Sequence, residues 1–158
     1  MCIKKISWPV IEKILRVIEI VAVVVAVIII PVQIKELGNA QMNRSLDLLF
    51  RLEDRIRYEK NLDIFYSIDG NKNLLIKNKG EFTEPEIDRW LDDLASIQDV
   101  YERHLITFDD AYYWFSDYLI GTCDNQEIKQ YISDLRQKNQ DYYSGFEDFC
   151  KKMESYGK

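Results

Sequence analysis

The sequence predicts an all-α protein: a single N-terminal transmembrane helix followed by a small soluble bundle of four or five helices. Three observations predict this fold class. An uncharged apolar segment lies near the start, apolar residues recur at helical spacing through most of the remaining chain, and helix-start signals divide that remainder. We therefore expect a membrane anchor at 1–39, with its transmembrane helix at about 14–34, and a soluble helical domain at 40–158.

The apolar segment Ile20–Val32 reads IVAVVVAVIIIPV and carries no charge. Extended over Ile14–Ile34, it has about the 20 residues that an α-helix needs to cross the hydrocarbon core of a bilayer. A cleaved signal peptide would end at a small-residue cleavage site, and Ile29–Ile34 contains none. An uncleaved anchor is expected, with Pro31 and Gly38 as bending points between anchor and domain.

The next segments follow helical spacing. Ala40–Tyr58 and Asn61–Ile68 are predicted helices, and the turn residues Asp69-Gly70-Asn71 end the second. Asn71–Glu81 is predicted to be a mobile loop, in which the short apolar run Leu74-Leu75-Ile76 has no strand partner. The expected apolar stripe of the first of these helices consists of Met42, Leu46, Leu48, Leu49, Leu52 and Ile56.

Three further helices are predicted from capping residues. Thr83-Glu84-Pro85-Glu86 is a helix start that leads to about His104, and Thr107 begins a helix that runs through Ile120 and ends at Gly121. A single last helix begins at Asp124 or Asn125. The residues expected to face inward on these helices are Ile87, Leu91, Leu94, Ile97, Tyr101, Ile128, Ile132, Leu135, Tyr142, Phe146, Phe149 and Met153.

The charge and the cysteines limit the classes of partner. The chain has 21 basic and 27 acidic residues, and residues 40–158 hold 16 and 24 of them, a net charge of −8. Binding of duplex nucleic acid needs a broad basic surface, so we expect none. Cys2, Cys123 and Cys150 match neither a disulfide framework nor a zinc site, and are predicted to be unpaired thiols of a reducing cytosol.

Basic residues flank the apolar segment on both sides. Lys4, Lys5, Lys13 and Arg16 precede it, whereas Lys35, Arg44 and Arg51 follow it, so the positive-inside rule leaves the orientation open. The cysteines favour a cytosolic soluble domain. Glu12, Arg16 and Glu19 share one helix face. They either pair at the level of the lipid headgroups or face the axis of an oligomer and a water-filled path.

The sequence contains no recognised catalytic or metal-binding motif. Asp69, Asn71 and Asn73 alternate as at the start of a calcium loop, but Leu74 and Gly80 replace the glycine and glutamate that the loop requires. His104, the one histidine of the chain, follows Arg103 at a predicted helix end, where interaction with the helix dipole explains it. We therefore expect no enzyme activity, no metal and no cofactor.

Two sets of residues are candidates for binding an anionic ligand. Arg44, Arg51 and Arg55 form a stripe on the first soluble helix, although Asp47 is placed to pair with Arg51. The second set combines arginines, which bind phosphate, with aromatic rings, which stack on bases or pack in the core. It consists of Arg89, Trp90, Arg103, His104, Tyr112, Tyr113 and Trp114. The five consecutive residues Ala111–Phe115 cannot all face inward on one helix, so some of these aromatic rings must be exposed.

The segment EIDRWLDDLASIQDVYERHLITFDDAYYWFSDYLIG (Glu86–Gly121) resembles the helix-turn-helix core of short bacterial proteins that carry one N-terminal membrane helix and a cytosolic helical domain. In length and layout the chain is also similar to the small membrane effectors of type III CRISPR systems. That resemblance implies a single-pass protein of the bacterial inner membrane whose cytosolic domain binds cyclic oligoadenylate during antiviral defence.

Two functions follow as hypotheses. In the first, a homo-oligomeric sensor–effector binds a cyclic nucleotide through its arginines and aromatic residues, and binding shifts the membrane helices and perturbs the bilayer. In the second, the chain is a membrane-anchored scaffold or protein-interaction domain without a small-molecule ligand. An enzyme acting on lipids is a third reading, which the missing nucleophile disfavours.

Overall fold

The computed structural model of the protein describes residues 8–156. These residues form six α-helices and no β-strand, which confirms the prediction of an all-helical chain. The helices are α1 (Trp8–Ile56), α2 (Glu59–Asp69), α3 (Glu84–Glu102), α4 (Phe108–Asp124), α5 (Gln126–Lys138) and α6 (Phe146–Tyr156). The contacts divide the chain into two units, Met1–Arg44 and Ser45–Lys158. We call residues 45–156 the helical domain.

Helix α1 is long and apolar enough to cross a membrane. None of its most apolar stretch is buried against the protein, and Val23, Val27 and Ile28 are each more than half exposed. The helix is continuous through Pro31 and Gly38, the two predicted bending points. Pro31 lacks the N–H that would donate to the carbonyl of Val27, so one intrahelical hydrogen bond is absent there.

In the helical domain, one face of α1 joins the core. Leu49, Leu52 and Ile56 lie one turn apart and are buried, whereas Leu46 is 40% exposed on the neighbouring face. The centre of the core is formed by fully buried residues of α2 to α6, which include Ile64, Trp90, Leu94, Phe115, Leu119, Phe146 and Met153.

The two predicted capping boxes are present. The backbone N–H and the hydroxyl of Thr83 both donate to the carboxylate of Glu86, at 2.9 Å each, and Pro85 occupies the first turn of α3. At the start of α4, the N–H of Asp110 donates to the Thr107 hydroxyl while the N–H of Thr107 donates to the Asp110 carboxylate, both at 3.1 Å. These reciprocal bonds satisfy backbone donors that have no partner within the helix.

Gly121 was predicted to end α4, but the helix continues to Asp124. Two tertiary features explain the extension. Thr122 is fully buried and accepts a hydrogen bond from the indole N–H of Trp90 at 3.1 Å, and the side chain of Asn125 accepts one from the N–H of Ile128 to start α5. The end of α4 is therefore set by Asn125, the cap of α5, rather than by Gly121.

The prediction of a single last helix is wrong, because residues 139–145 separate α5 from α6. Arg136 donates to the backbone carbonyls of Tyr142 and Tyr143, and Tyr143 has a positive φ of 52°. At Gly145, a Cβ would lie 2.2 Å from the Gln98 side-chain amide, so the turn approaches α3 closely. Tyr142, expected to face inward, is 45% exposed.

The segment predicted as a mobile loop is held to the domain at several points. Leu74 and Leu75 are buried, and Leu75 forms an isolated parallel bridge with Phe82. A short 3₁₀ helix, Ile76–Asn78, follows and ends at Lys79 in the left-handed conformation. At Gly80 a Cβ would lie 2.3 Å from the backbone of Leu74, so only glycine fits there.

Candidate functional site

The three arginines of the predicted stripe are all exposed on α1. Arg51 is exposed and its Nε lies 2.9 Å from the Asp47 carboxylate, which is the surface pairing that the sequence left open. Arg55 is exposed and forms no ion pair among the described residues. Arg44 belongs to the other unit and is exposed there.

Arg89 and Trp90 are adjacent in sequence and lie in opposite environments. Arg89 is exposed, close to the ion pair between Lys60 and Glu86. Trp90 is fully buried, and its indole N–H donates to Thr122 inside the core. Its place among the candidate ligand-binding residues is therefore corrected, because a ring with no exposed face cannot stack on a base.

Arg103 and His104 form the C-terminal end of α3. The Nε of Arg103 lies 2.9 Å from the Asp99 carboxylate on the same helix. His104 has a φ of 57°, and its N–H donates to the carbonyl of Tyr101 while the N–H of Leu105 donates to that of Val100. This pattern is a Schellman motif, in which the residue after the cap adopts the left-handed conformation. His104 therefore has a local role in ending the helix.

The three consecutive aromatic residues of α4 point in three directions. Tyr112 is half-buried and packs edge-on against Tyr156, with ring centroids 5.0 Å apart. Trp114 is half-buried and packs edge-on against Phe50 of α1 at 5.3 Å. Tyr113 is 85% exposed. The prediction that some of these rings must reach solvent is confirmed, and it is fulfilled by Tyr113.

We call four side chains the aromatic patch: Leu46 and Phe50 of α1, Trp114 of α4, which contacts Phe50, and Tyr113, the exposed chain neighbour of Trp114. Leu46 lies one helical turn before Phe50, and the two are 40% and 53% exposed. Just after the end of α1, the Tyr118 side chain of α4, followed by Glu53, raises the pKa of the Arg57 guanidinium. Both α1 and α4 therefore contribute side chains to the surface around the contact between Phe50 and Trp114.

The charged face predicted for the membrane helix is present on α1. Arg16 lies 3.0 Å from Glu12, one turn before it, and both side chains are exposed. Glu19 is exposed and makes no ion pair among the described residues. Glu12 and Arg16 therefore form an ion pair between neighbouring turns of one helix face.

A carboxylate of α5 holds the loop that follows α2. Glu127 accepts hydrogen bonds from the N–H groups of Leu74 and Leu75, at 2.7 and 3.0 Å, and from the side chain of Asn78 at 2.6 Å. Burial alone would raise the pKa of this carboxyl, but the three hydrogen bonds lower it below its ordinary value. A polar groove of about 320 Å³ lies beside Glu127, and its side chains are largely bonded to one another.

Two tyrosines tie the last part of the chain to α3. The Tyr131 hydroxyl donates to the Asp88 carboxylate at 2.7 Å, and the Tyr143 hydroxyl donates to Asp92 at 2.9 Å. Burial, followed by the neighbouring carboxylates, raises the pKa of both hydroxyls. They stay protonated at physiological pH and serve as hydrogen-bond donors.

Cys123 of α4 and Cys150 of α6 form a disulfide, so the prediction that both are unpaired thiols is wrong. The bond closes a loop of 27 residues that holds α5. Beside it lies a cavity of about 330 Å³ between α5 and α6, with an apolar floor formed by Ile128, Ile132 and Phe146.

The described residues contain no group of three or more His, Cys, Asp or Glu side chains placed to hold a metal ion. Sequence reasoning missed three features that shape this domain: Phe50 in the aromatic patch, Glu127, and the paired cysteines. None has a local motif, because each acts through a partner at least 27 residues away in the chain. Comparison of the chain with protein-family models, curated proteins and solved structures finds no match.

Proposed function

We propose that the protein is a single-pass membrane protein whose helical domain is an association domain, and that copies of the chain associate through the aromatic patch. The observation that carries the proposal is the patch itself. Phe50 is 53% exposed and contacts Trp114, and Tyr113, the chain neighbour of Trp114, is 85% exposed, the largest exposed fraction among the large apolar side chains of the domain. Tyrosine and tryptophan are the residues that most often supply binding energy at protein interfaces.

The membrane segment supports a second copy of the chain as the partner. The apolar side chains of α1 between Leu15 and Ile34 are about half or more exposed, and a bilayer is the solvent in which they are stable. Insertion confines all copies to one plane with one orientation, which raises their effective concentration. A weak patch that would not associate in free solution can therefore do so in the membrane.

Residues of opposite charge also lie on the two helices of the patch. Helix α4 contains Asp109, Asp110, Asp117 and Asp124 and no basic residue. The domain part of α1 carries the exposed Arg51 and Arg55 along with the acidic Asp47, Glu53 and Asp54. In a symmetric pair each copy offers the same surface, so the basic side chains of α1 in one copy can face the acidic helix α4 of the other.

Energy transfer between donor-labelled and acceptor-labelled copies of the full chain in liposomes tests this proposal. We expect transfer above the level of random proximity for the wild type, and a loss of at least tenfold in apparent affinity for Tyr113→Asp. Tyr66→Asp is the matched control, since Tyr66 is 62% exposed on α2 and outside the patch. Random-level transfer for the wild type, or equal transfer for both variants, would contradict the proposal.

Binding of cyclic oligoadenylate is the second candidate function. The observation that favours it is the exposed Arg55, which forms no ion pair among the described residues, on the helix that carries the patch. The net charge of −8 in residues 40–158 and the burial of Trp90 count against it. Calorimetric titration of the full chain in detergent with cyclic oligoadenylate tests it: heat that Arg55→Gln abolishes supports a sensor, and no heat at micromolar ligand excludes it.

A further inference from the structure

The disulfide between Cys123 and Cys150 bears on which side of the membrane the helical domain occupies. The Cα atoms of the two residues are 6.3 Å apart, within the range that a disulfide spans without movement of the backbone. Cys150 is buried and Cys123 is half-buried, beside the cavity between α5 and α6. The bond joins the end of α4 to the middle of α6, the last helix of the domain, and so holds the closing helix to the core.

A metal site or a catalytic centre is the alternative role for Cys123 and Cys150. A cysteine pair in a reducing compartment is more often part of a metal site or a catalytic centre. Among the described residues no third metal ligand lies beside Cys123 and Cys150. The sulfurs instead lie among apolar side chains, where a disulfide contributes by linking two elements that are distant in sequence.

The basic residues that flank the apolar segment are compatible with an oxidising environment for the domain. Positive residues are retained on the cytosolic side, and those within about 15 to 20 residues of a span have the largest effect. On the side that precedes the segment these are Lys4, Lys5, Lys13 and Arg16. On the other side, up to residue 54, they are Lys35, Arg44 and Arg51.

We propose that the segment preceding α1's membrane span faces the cytosol and that the helical domain lies on the opposite, oxidising side, where Cys123 and Cys150 are joined. The two thiols lose two protons and two electrons as the sulfur–sulfur bond forms. The oxidant is the disulfide of a thiol–disulfide oxidoreductase of that compartment, which is reduced to a dithiol by exchange. The third cysteine of the sequence, Cys2, is not a member of this pair.

This inference uses the membrane span proposed above, and it is opposite to the cytosolic placement expected from the sequence. The first measurement counts thiols on the full chain from cells quenched in acid. A maleimide-linked polymer adds a fixed mass for each free cysteine after denaturation. We expect one adduct without reductant and three after reduction. Three adducts without reductant overturn the proposal.

The second measurement determines the side of the membrane without altering the disulfide. Lys129 and Lys138 of α5 and Lys151 and Lys152 of α6 are all exposed. An amine reagent that cannot cross membranes is expected to label lysines of α5 and α6 in intact cells whose outer barrier is opened, as read by peptide mass spectrometry. Labelling of these lysines only after lysis overturns the proposal even where the disulfide is found. Recovery of the chain in the soluble fraction would contradict the anchor instead, so the two failures are distinguishable.

Discussion

The two units of the chain differ in how far their aliphatic side chains are exposed. In α1 before Arg44, the valines and isoleucines between residues 17 and 34 are about half or more exposed, whereas in the helical domain most large aliphatic side chains are less than a tenth exposed. Each apolar side chain removed from water contributes about 1.5–3 kcal/mol. The helical domain obtains that stabilisation from its own core. The apolar part of α1 is not buried in the protein and is long and apolar enough to cross a membrane.

The helical domain also exposes some of its large apolar side chains. In the aromatic patch, Phe50 is 53% exposed and Tyr113 is 85% exposed. A patch of this kind on a stable core is typical of an interaction surface. Substitutions are expected to have their largest effect in the apolar segment of α1, a smaller one in the core, and the smallest at the hydrogen bonds of Glu127 and Glu86.

Charges at the centre of the apolar segment are expected to have the largest effect. Val23→Arg combined with Val27→Arg places two cations on one face of α1, at about 3 kcal/mol each or about 6 kcal/mol together. We expect the variant to be released from membranes by alkaline extraction. Val23→Leu with Val27→Leu is the control and should remain bound. A wild-type chain that is itself released by alkali would contradict the lipid-facing assignment.

Trp90 lies in the core of the domain, whereas Tyr113 lies on its surface. Because Trp90 is fully buried and bonded to Thr122, Trp90→Ala should destabilise the domain by about 3–5 kcal/mol. Tyr113→Ala, at an exposed position of α4, should change stability by less than about 0.5 kcal/mol. Thermal unfolding of the full chain in detergent measures both. Similar shifts for the two variants would remove the distinction between core and patch.

Glu127 is expected to have an intermediate effect. Glu127→Ala leaves the N–H groups of Leu74 and Leu75 without their partner, which should cost about 1–3 kcal/mol and raise hydrogen exchange at these two amides. Glu81→Gln is the control, because Glu81 is exposed on the same loop and makes no ion pair there among the described residues. Unchanged exchange at Leu74 and Leu75 in Glu127→Ala would show that the loop is held by packing alone.

The smallest expected effect depends on pH. The hydrogen bond from Lys60, followed by those from Thr83, lowers the pKa of Glu86 from 4.5 to about 2. A lowered pKa in the folded state means that the stabilisation is complete above about pH 4.5 and is lost as the pH falls towards 2. For this largely solvent-screened group we expect about 1 kcal/mol. Glu86→Gln should flatten that part of the stability curve, measured by denaturant unfolding between pH 5 and 2.5, relative to the wild type.

The sequence was sufficient where structure is decided locally. The capping boxes at Thr83 and Thr107 involve residues three apart, and both are formed as predicted. The apolar spacing of α3 correctly identified Ile87, Leu91, Leu94 and Ile97 as buried. Helical spacing and caps are properties of neighbouring residues, so one sequence contains the information they need.

The sequence was insufficient where distant residues decide. Gly121 was predicted to end α4, but the buried partner of Thr122 is Trp90, 32 residues earlier. The break between α5 and α6 had a local signal in Asn139, Asp141, Ser144 and Gly145, which are turn residues, yet the apolar spacing on both sides outweighed it. The pairing of Cys123 with Cys150 depends on the packing of α4 and α6, which spacing alone does not reveal.

The candidate site shows the same limit. Helical geometry predicted that Ala111–Phe115 must expose some aromatic side chains, and Tyr113 is exposed. It did not indicate that Trp90 is in the core or that Phe50 of α1 meets Trp114. Whether an aromatic residue lies in a core or on a binding surface depends on which helix covers it, and that is a property of the fold.

The most direct test of association through the aromatic patch is oxidative footprinting of the full chain in bilayers at low and high protein density. Tyr113 and Tyr66 are both exposed in a single copy, at 85% and 62%. Association through the patch predicts that oxidation of Tyr113 falls at high density while oxidation of Tyr66 stays constant. Equal oxidation of Tyr113 at both densities would contradict it.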